Sequence, residues 1–357
     1  MSEPRQVLSK SNQIINESFL TFVRYNMYWK HLGVLLGSLI LSYQPLLAQT
    51  CCSGGVPISS NIGFNSDDAQ SLQLSFTADF NVLKSLYSGS EQLDDGLRKR
   101  TTQSYLIRGA YALSSRLSIE TSVSLVRQTR KIYGINENID FQSTFGIGDP
   151  VILIIYDVIK GPFNWRVGLG PQVPLGRTNL LSDRGLFLVE DLQPGSGAWD
   201  AIMFSSLSMT SSSRPTNTLF LNAIYSSTGV NNDSRGGLQT YEFGNDLQLI
   251  SGVSDQFLWL GQILSPTLGL RFRIANRDAI DGIVNSGTGG TFLFLRGGLG
   301  LDVSNDYRIS INGELPIYTR VNETQLATSY TINLSLYKRF SFQKDKNNSF
   351  PNLIDMP

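Results

Sequence analysis

At 357 residues the chain is long enough for two globular domains or one large all-β unit. Only 16% of its residues are charged, against roughly 25% in an ordinary soluble domain, while 33 Gly, 19 Phe and 14 Tyr suit many strands and turns better than a helical enzyme. Formal net charge is zero, and without residues 1–48, which hold four of the 29 Lys/Arg and two of the 29 Asp/Glu, it is about −2. Nothing here forms a basic surface for nucleic acid.

Residues 32–48, LGVLLGSLILSYQPLLA, form the one strongly apolar run. Lys30 and His31 precede it, and Leu46-Leu47-Ala48 before Gln49 has the form of a signal-peptidase site, so residues 1–48 are expected to be a cleaved secretory signal. The competing reading is a membrane anchor, but about 17 residues interrupted by Pro45 and two Gly are short for a span. The mixed stretch 1–26 is long for a signal's polar start, and Met27-Tyr-Trp-Lys-His is a more natural beginning, which makes 1–26 a candidate misassigned start. Residues 49–69 read as a periplasmic N-terminal segment. Within it, Cys51 and Cys52 leave three options open. They can pair in an oxidising compartment or receive lipid, although Gln49 and Thr50 fit a lipidation site badly. They make at most half of a metal site, with no His nearby.

From residue 70 to 340 apolar and polar residues alternate with period two. Leu72, Leu74, Phe76, Ala78, Phe80 and Val82 alternate with polar neighbours at one end; Tyr330, Ile332, Leu334, Leu336 and Phe340 do so at the other. The pattern predicts twelve strands, at 70–83, 102–112, 116–128, 145–157, 163–175, 198–210, 217–228, 239–251, 259–273, 290–303, 306–318 and 326–340. They are longer than globular strands and suit a tilted membrane crossing of about 9–11 residues. Links after odd strands are long (84–101, 129–144, 176–197, 229–238, 274–289, 319–325), and those after even strands are short. That rhythm, with an even strand count, predicts a transmembrane antiparallel up-and-down β-barrel in a bacterial outer membrane, both termini periplasmic and the long loops outside. In hydrocarbon every backbone amide needs a partner, so the sheet has to close on itself.

Tyr105, Tyr111, Trp165, Trp199, Tyr241, Trp259, Tyr307, Tyr318 and Tyr330 are expected in interfacial girdles beside lipid and lipopolysaccharide. Phe340 resembles the terminal aromatic read by barrel-assembly machinery, and residues 341–357 read as a polar periplasmic tail.

Parity assigns Asp79, Arg108, Glu120, Arg166, Asp200, Glu242, Asp246, Arg271, Arg273, Arg296, Arg308, Glu314 and Arg339 to the lumen. A charge on the lipid face would cost roughly 2–4 kcal/mol near the midplane. These charges either set the selectivity of a channel or fill a narrow barrel with ion pairs. Loop 176–197 is unusually apolar, and Leu180, Leu181, Leu186, Phe187, Leu188 and Val189 are candidates for a gate folded into the mouth. His31 is the only His, so the mature chain lacks the residue that esterase-type barrels use as base. No enzyme, cofactor or metal is expected. The glycines of Gly146-Ile-Gly148 and Gly168-Leu-Gly170 read as strand glycines near bends.

Three segments, Phe145-Gly-Ile-Gly-Asp149-Pro150, Val167-Gly-Leu-Gly-Pro-Gln-Val-Pro-Leu-Gly176 and Leu192-Gln-Pro-Gly-Ser-Gly-Ala-Trp-Asp200, resemble in order the outer-membrane barrel family named for the MetA pathway of phenol degradation. Cys51-Cys-Ser-Gly-Gly-Val-Pro57 resembles mature N-termini of its Bacteroidetes members, which would make Gln49 the first mature residue. The resemblance implies a transporter of small, often aromatic or hydrophobic compounds, with no agreed site residues. The expected function is therefore an outer-membrane channel for a small-molecule solute. The alternative is a plugged structural or adhesive barrel acting through its extracellular loops.

Overall fold

The computed structural model describes residues 71–134, 139–304 and 306–341. The expected signal, the segment 49–69 with Cys51 and Cys52, and the tail from 342 lie outside them.

Alternation of side chains becomes alternation of faces. In β1 (Ser71–Ser88), extended by a three-residue return strand β2 (Glu91–Leu93), Ser75, Thr77 and Asp79 are buried in alternation, and in β3 (Arg98–Ala112) every second side chain from Arg100 on is buried. Arg100, Thr102, Ser104, Leu106 and Arg108 point inward, while Tyr105, Ile107 and Tyr111 are exposed outward. Next come β4 (Leu117–Tyr133), β5 (Ile139–Ile147), β6 (Val151–Ile159) and β7 (Phe163–Gln172). After a long loop follow β8 (Asp200–Thr210), β9 (Thr218–Ser227), β10 (Val230–Ser234), β11 (Gln239–Glu242) and β12 (Asp246–Ser254). The remainder is β13 (Phe257–Trp259), β14 (Gln262–Ala275), β15 (Ala279–Ile280), β16 (Ile283–Val284), β17 (Gly290–Asp302), β18 (Tyr307–Val321) and β19 (Thr324–Ser341).

Neighbouring staves pair antiparallel in chain order. The first stave, β1, pairs with the last, β19, and β12 pairs with β14 beside the short return strand β13, giving a closed twelve-stave barrel in which β5 and β6 form one interrupted stave. Closure leaves no sheet edge to hydrocarbon around most of the wall. The outer face carries an apolar band that includes Ile107, Val123, Ile154, Leu221, Leu270, Leu295, Ile311 and Leu334.

Several expected long links are shorter than the sequence suggested. The strands β1, β4 and β19 run 18, 17 and 18 residues, beyond the 9–11 that a membrane requires. Their far ends run on through stretches such as Lys84-Ser85 and Arg127–Lys131, where strict alternation no longer marks a strand. Thus β18 and β19 join through Asn322 and Glu323 alone, with Glu323 at φ 53°. At the same end β10, β11, β15 and β16 form a separate four-stranded sheet. Trp199, Trp259, Tyr307, Tyr318 and Tyr330 are exposed outward. Tyr241 is a correction: it is buried in the four-stranded sheet, packed edge-on against Phe243.

Candidate functional site: the lumen and its inward loop

The stave β5–β6 breaks at Gly148-Asp149-Pro150. Pro150 has no N–H to continue the ladder and restricts Asp149 to extended backbone, and Gly148 makes the last regular bond, to Ser124 O at 2.9 Å. Freed from the ladder, the Asp149 carboxylate accepts the Gly176 N–H at 2.8 Å, the Ser196 N–H at 2.6 Å and the Ser196 hydroxyl at 2.8 Å. The three segments of the sequence resemblance therefore meet at one carboxylate. Glycine makes the meeting possible: a Cβ on Gly148 would lie 2.5 Å from Ser124 Oγ, and one on Gly176 would lie 2.5 Å from Gly195 Cα.

The segment between β7 and β8 lies against the inner faces of β3, β4 and β5. Thr144 Oγ1 donates to Leu192 O at 2.6 Å and Gln128 Nε2 to Gln193 O at 3.2 Å. Arg100 holds both the carboxylate and the carbonyl of Asp191. The same segment repairs the wall, since Val173 N donates to Pro150 O at 2.8 Å and Arg177 N to Ile147 O at 3.0 Å where β7 has left the ladder.

The inserted part of this loop differs from the expected gate. Leu181 and Phe187 bridge a small hairpin whose tip, with Leu186, is exposed; Leu180 and Val189 are half-buried, and only Leu188 is buried. What enters is Leu192 to Ser196, buried throughout. Its carbonyls find donors on the polar wall, and an apolar tip facing Arg100, Gln128 and Thr144 would leave those donors unmet.

Of the charges assigned to the lumen by parity, Asp79, Arg108, Glu120, Arg166, Asp200, Asp246, Arg271, Arg296 and Glu314 are buried on the inner face. Most are brought together in pairs: Arg108 with Glu120 at 3.1 Å, Arg271 with Glu314 at 2.6 Å, half-buried Arg273 with Asp246 at 2.6 Å, and Arg166 with Asp157 at 2.7 Å. Arg271 also lies 4.0 Å over the Phe294 ring. Arg308 sits half-buried at the short-turn end with Asp302 at 3.2 Å, and Arg339 is exposed at that mouth. Glu242 is off the wall altogether, in β11 of the four-stranded sheet. The expected strand 239–251 breaks there because Thr228 N donates to Asn245 Oδ1 at 2.9 Å and Gly244 N to Asp278 Oδ1 at 2.8 Å.

Parity missed the other half of the lumen. Val151, Leu153, Ile155, Ile202, Phe204, Ile224 and Ile250 are buried in one cluster on the inner faces of β6, β8, β9 and β12, with Phe220 packed against it. The signal was present in Val151-Ile-Leu-Ile-Ile155, where an unbroken apolar run means that both faces of the strand are apolar. An apolar wall thus faces an ion-paired one. Between them lies a cavity of about 110 Å³ bordered by Asp79, Arg108, Val151, Ile224, Arg271 and Glu314. A wider one of about 940 Å³ opens at the short-turn end beside Asn222, Ile250, Arg296 and Arg339.

No family model matches the sequence, and no curated protein matches it. Among solved structures, an outer-membrane channel from Pseudomonas putida F1 aligns with TM-score 0.62 at 13% identity, covering 78% of this chain and all of that one. The fold is that of an outer-membrane β-barrel. The monoaromatic hydrocarbon channel CymD (TM-score 0.40, 10% identity, 85% of this chain and all of that one) and the P. putida toluene transporter TodX (0.39, 10%, 77% and 91%) align more loosely, at scores that carry no argument.

Proposed function

We propose that this barrel is an outer-membrane channel that conducts small apolar or amphipathic molecules, aromatic compounds among them. The observation that carries this reading is the apolar wall of Leu153, Ile155, Ile202, Phe204, Ile224 and Ile250 inside the barrel. A channel for hydrated ions gains nothing from such a surface, whereas an apolar solute leaving water gains roughly 25 cal/mol for each Å² it buries. The meeting of the three resembling segments at Asp149 supports membership of the family named for the MetA pathway of phenol degradation. The aligned P. putida channel supports the same class of function.

On this reading residues 1–48 are an export signal, both termini lie in the periplasm, and the long loops stand among lipopolysaccharide. Phe340, paired with Leu72 at the closing seam, is then what the assembly machinery reads. The rival reading, a plugged surface barrel, draws on the inserted loop and the narrow inner cavity.

The test is accumulation of an apolar fluorophore that lipopolysaccharide excludes, in Gram-negative cells with and without the protein. Expression is expected to speed accumulation, and replacing Ile202 and Phe204 by Asn to abolish the gain. Equal rates in expressing and control cells, with no conductance in planar bilayers, would leave the plugged barrel standing.

A further inference from the structure

The cations bordering the inner cavity are already opposed: Arg100 by Asp191, Arg108 by Glu120, Arg271 by Glu314, and Arg273 by Asp246. Three acceptors bordering it are left over. Asp79 Oδ1, Gln248 Oε1 and Glu314 Oε1 have no hydrogen-bond partner, on residues that are 7%, 6% and 3% exposed. Gln248 and Glu314 are each held through their other atoms, and Asp79 faces Asn333 in the register. Gln248 donates to Asp246 at 2.7 Å. Glu314 Oε2 takes two bonds from Arg271 at 2.9 and 2.6 Å, leaving Oε1 3.7 Å from the nearest Arg296 nitrogen.

Buried acceptors without donors are costly, and these three border one cavity. We propose that this cavity is a head-group subsite for a molecule with an apolar body and a hydrogen-bond-donating head, a hydroxyl or a primary ammonium. The head lies on Asp79 and Glu314, with Gln248 reaching it from β12, and the body rests on the apolar wall beside Val151 and Ile224. This narrows the substrate class and rests on the passage reading above. A carboxylate head accepts only and cannot satisfy these oxygens, and a plain hydrocarbon leaves them unmet.

The experiment is fluorine NMR binding to the full chain in lipid nanodiscs, corrected for empty nanodiscs, with four matched probes: para-fluorobenzylamine, para-fluorobenzyl alcohol, para-fluorotoluene and para-fluorobenzoate. At least one of the amine and the alcohol is expected to bind saturably and about tenfold tighter than the toluene, as one hydrogen bond to a buried charged acceptor allows. The benzoate is expected to bind no tighter than the toluene. Asp79→Leu should erase the preference while leaving toluene binding intact. If that variant fails to assemble, Gln248→Leu, which keeps the Arg273–Asp246 pair, should reduce it.

Equal binding of toluene and both donor probes would mean that water alone satisfies the oxygens, overturning the subsite while leaving apolar passage intact. A donor preference that ignores both substitutions would overturn the assignment to these residues. Tighter binding of the benzoate would overturn the head-group class. Failure of the passage reading shows separately, as unchanged fluorophore accumulation.

Discussion

Asp149 and Ser196 stand 47 residues apart in the chain, and the carboxylate of the first accepts both the backbone N–H and the hydroxyl of the second. With the third bond, from Gly176, this one side chain ties the broken stave to both ends of the inserted loop. Asp149→Ala removes three bonds to a charged acceptor, each worth about 1.5–3 kcal/mol though not additively. Amide exchange at Gly176 and Ser196 should accelerate by about a hundredfold, while the barrel's thermal transition barely moves because its ladder is untouched. Unchanged protection at both amides would mean that Thr144, Gln128 and Arg100 hold the loop without Asp149.

The same junction makes two glycines unequal. A methyl at Gly176 would meet the Gly195 backbone at 2.5 Å, whereas one at Gly297 has nothing within 4 Å. Gly176→Ala should lift the loop and reproduce the exchange pattern of Asp149→Ala. Gly297→Ala should be neutral to within about 0.5 kcal/mol. Limited proteolysis of the loop separates them, and equal cleavage of the two variants would show that the contact yields without cost.

How far the sequence spoke depended on which face of each strand was polar. Where one face was polar, as in Ser71–Val82 or Thr331–Phe340, parity gave strand, face and closure together, because a one-residue error would turn every side chain to the wrong side. Where both faces were apolar, as in Val151–Ile155, parity was silent and the apolar wall stayed hidden. Where both were polar, as in Arg98–Thr102, strands that outrun the membrane looked like loops. Glu242 and the expected gate were misplaced for another reason. The breaks at Asp149 and at Phe243-Gly244-Asn245 are set by side chains reaching the backbone from distant loops, and no local pattern encodes that. The Gly-Asp-Pro and Gly-Ser-Gly segments were visible as a resemblance, but that they share one carboxylate needed the fold.

Arg108 and Glu120 are each 3% exposed and lie 3.1 Å apart. Removing one partner from a buried pair leaves an uncompensated charge, at a cost of about 3–5 kcal/mol, while replacing both with apolar residues is often nearly neutral. Arg108→Leu or Glu120→Leu alone should lower the urea midpoint of the barrel in detergent, and the double variant should recover most of the loss. Additive losses would mean that the two side chains act independently.

Tyr241 gives the four-stranded sheet a dependence on alkaline pH. Its hydroxyl donates to Asp278 at 2.5 Å. Burial first, and the Asp278 charge second, push the phenol well above its ordinary range. A group whose folded pKa exceeds its unfolded one stabilises fully below the unfolded value, about 10 for tyrosine, and loses that contribution as pH rises beyond it. The four-stranded sheet should therefore keep constant amide protection up to about pH 10 and lose it above. Tyr241→Phe should show weaker protection throughout and a flatter alkaline limb. Tyrosinate absorbance gives an independent check, since wild type and variant should titrate identically until the sheet opens. An extra tyrosinate appearing near pH 10 in the wild type, with the sheet still protected, would show that Asp278 and burial do not hold the proton.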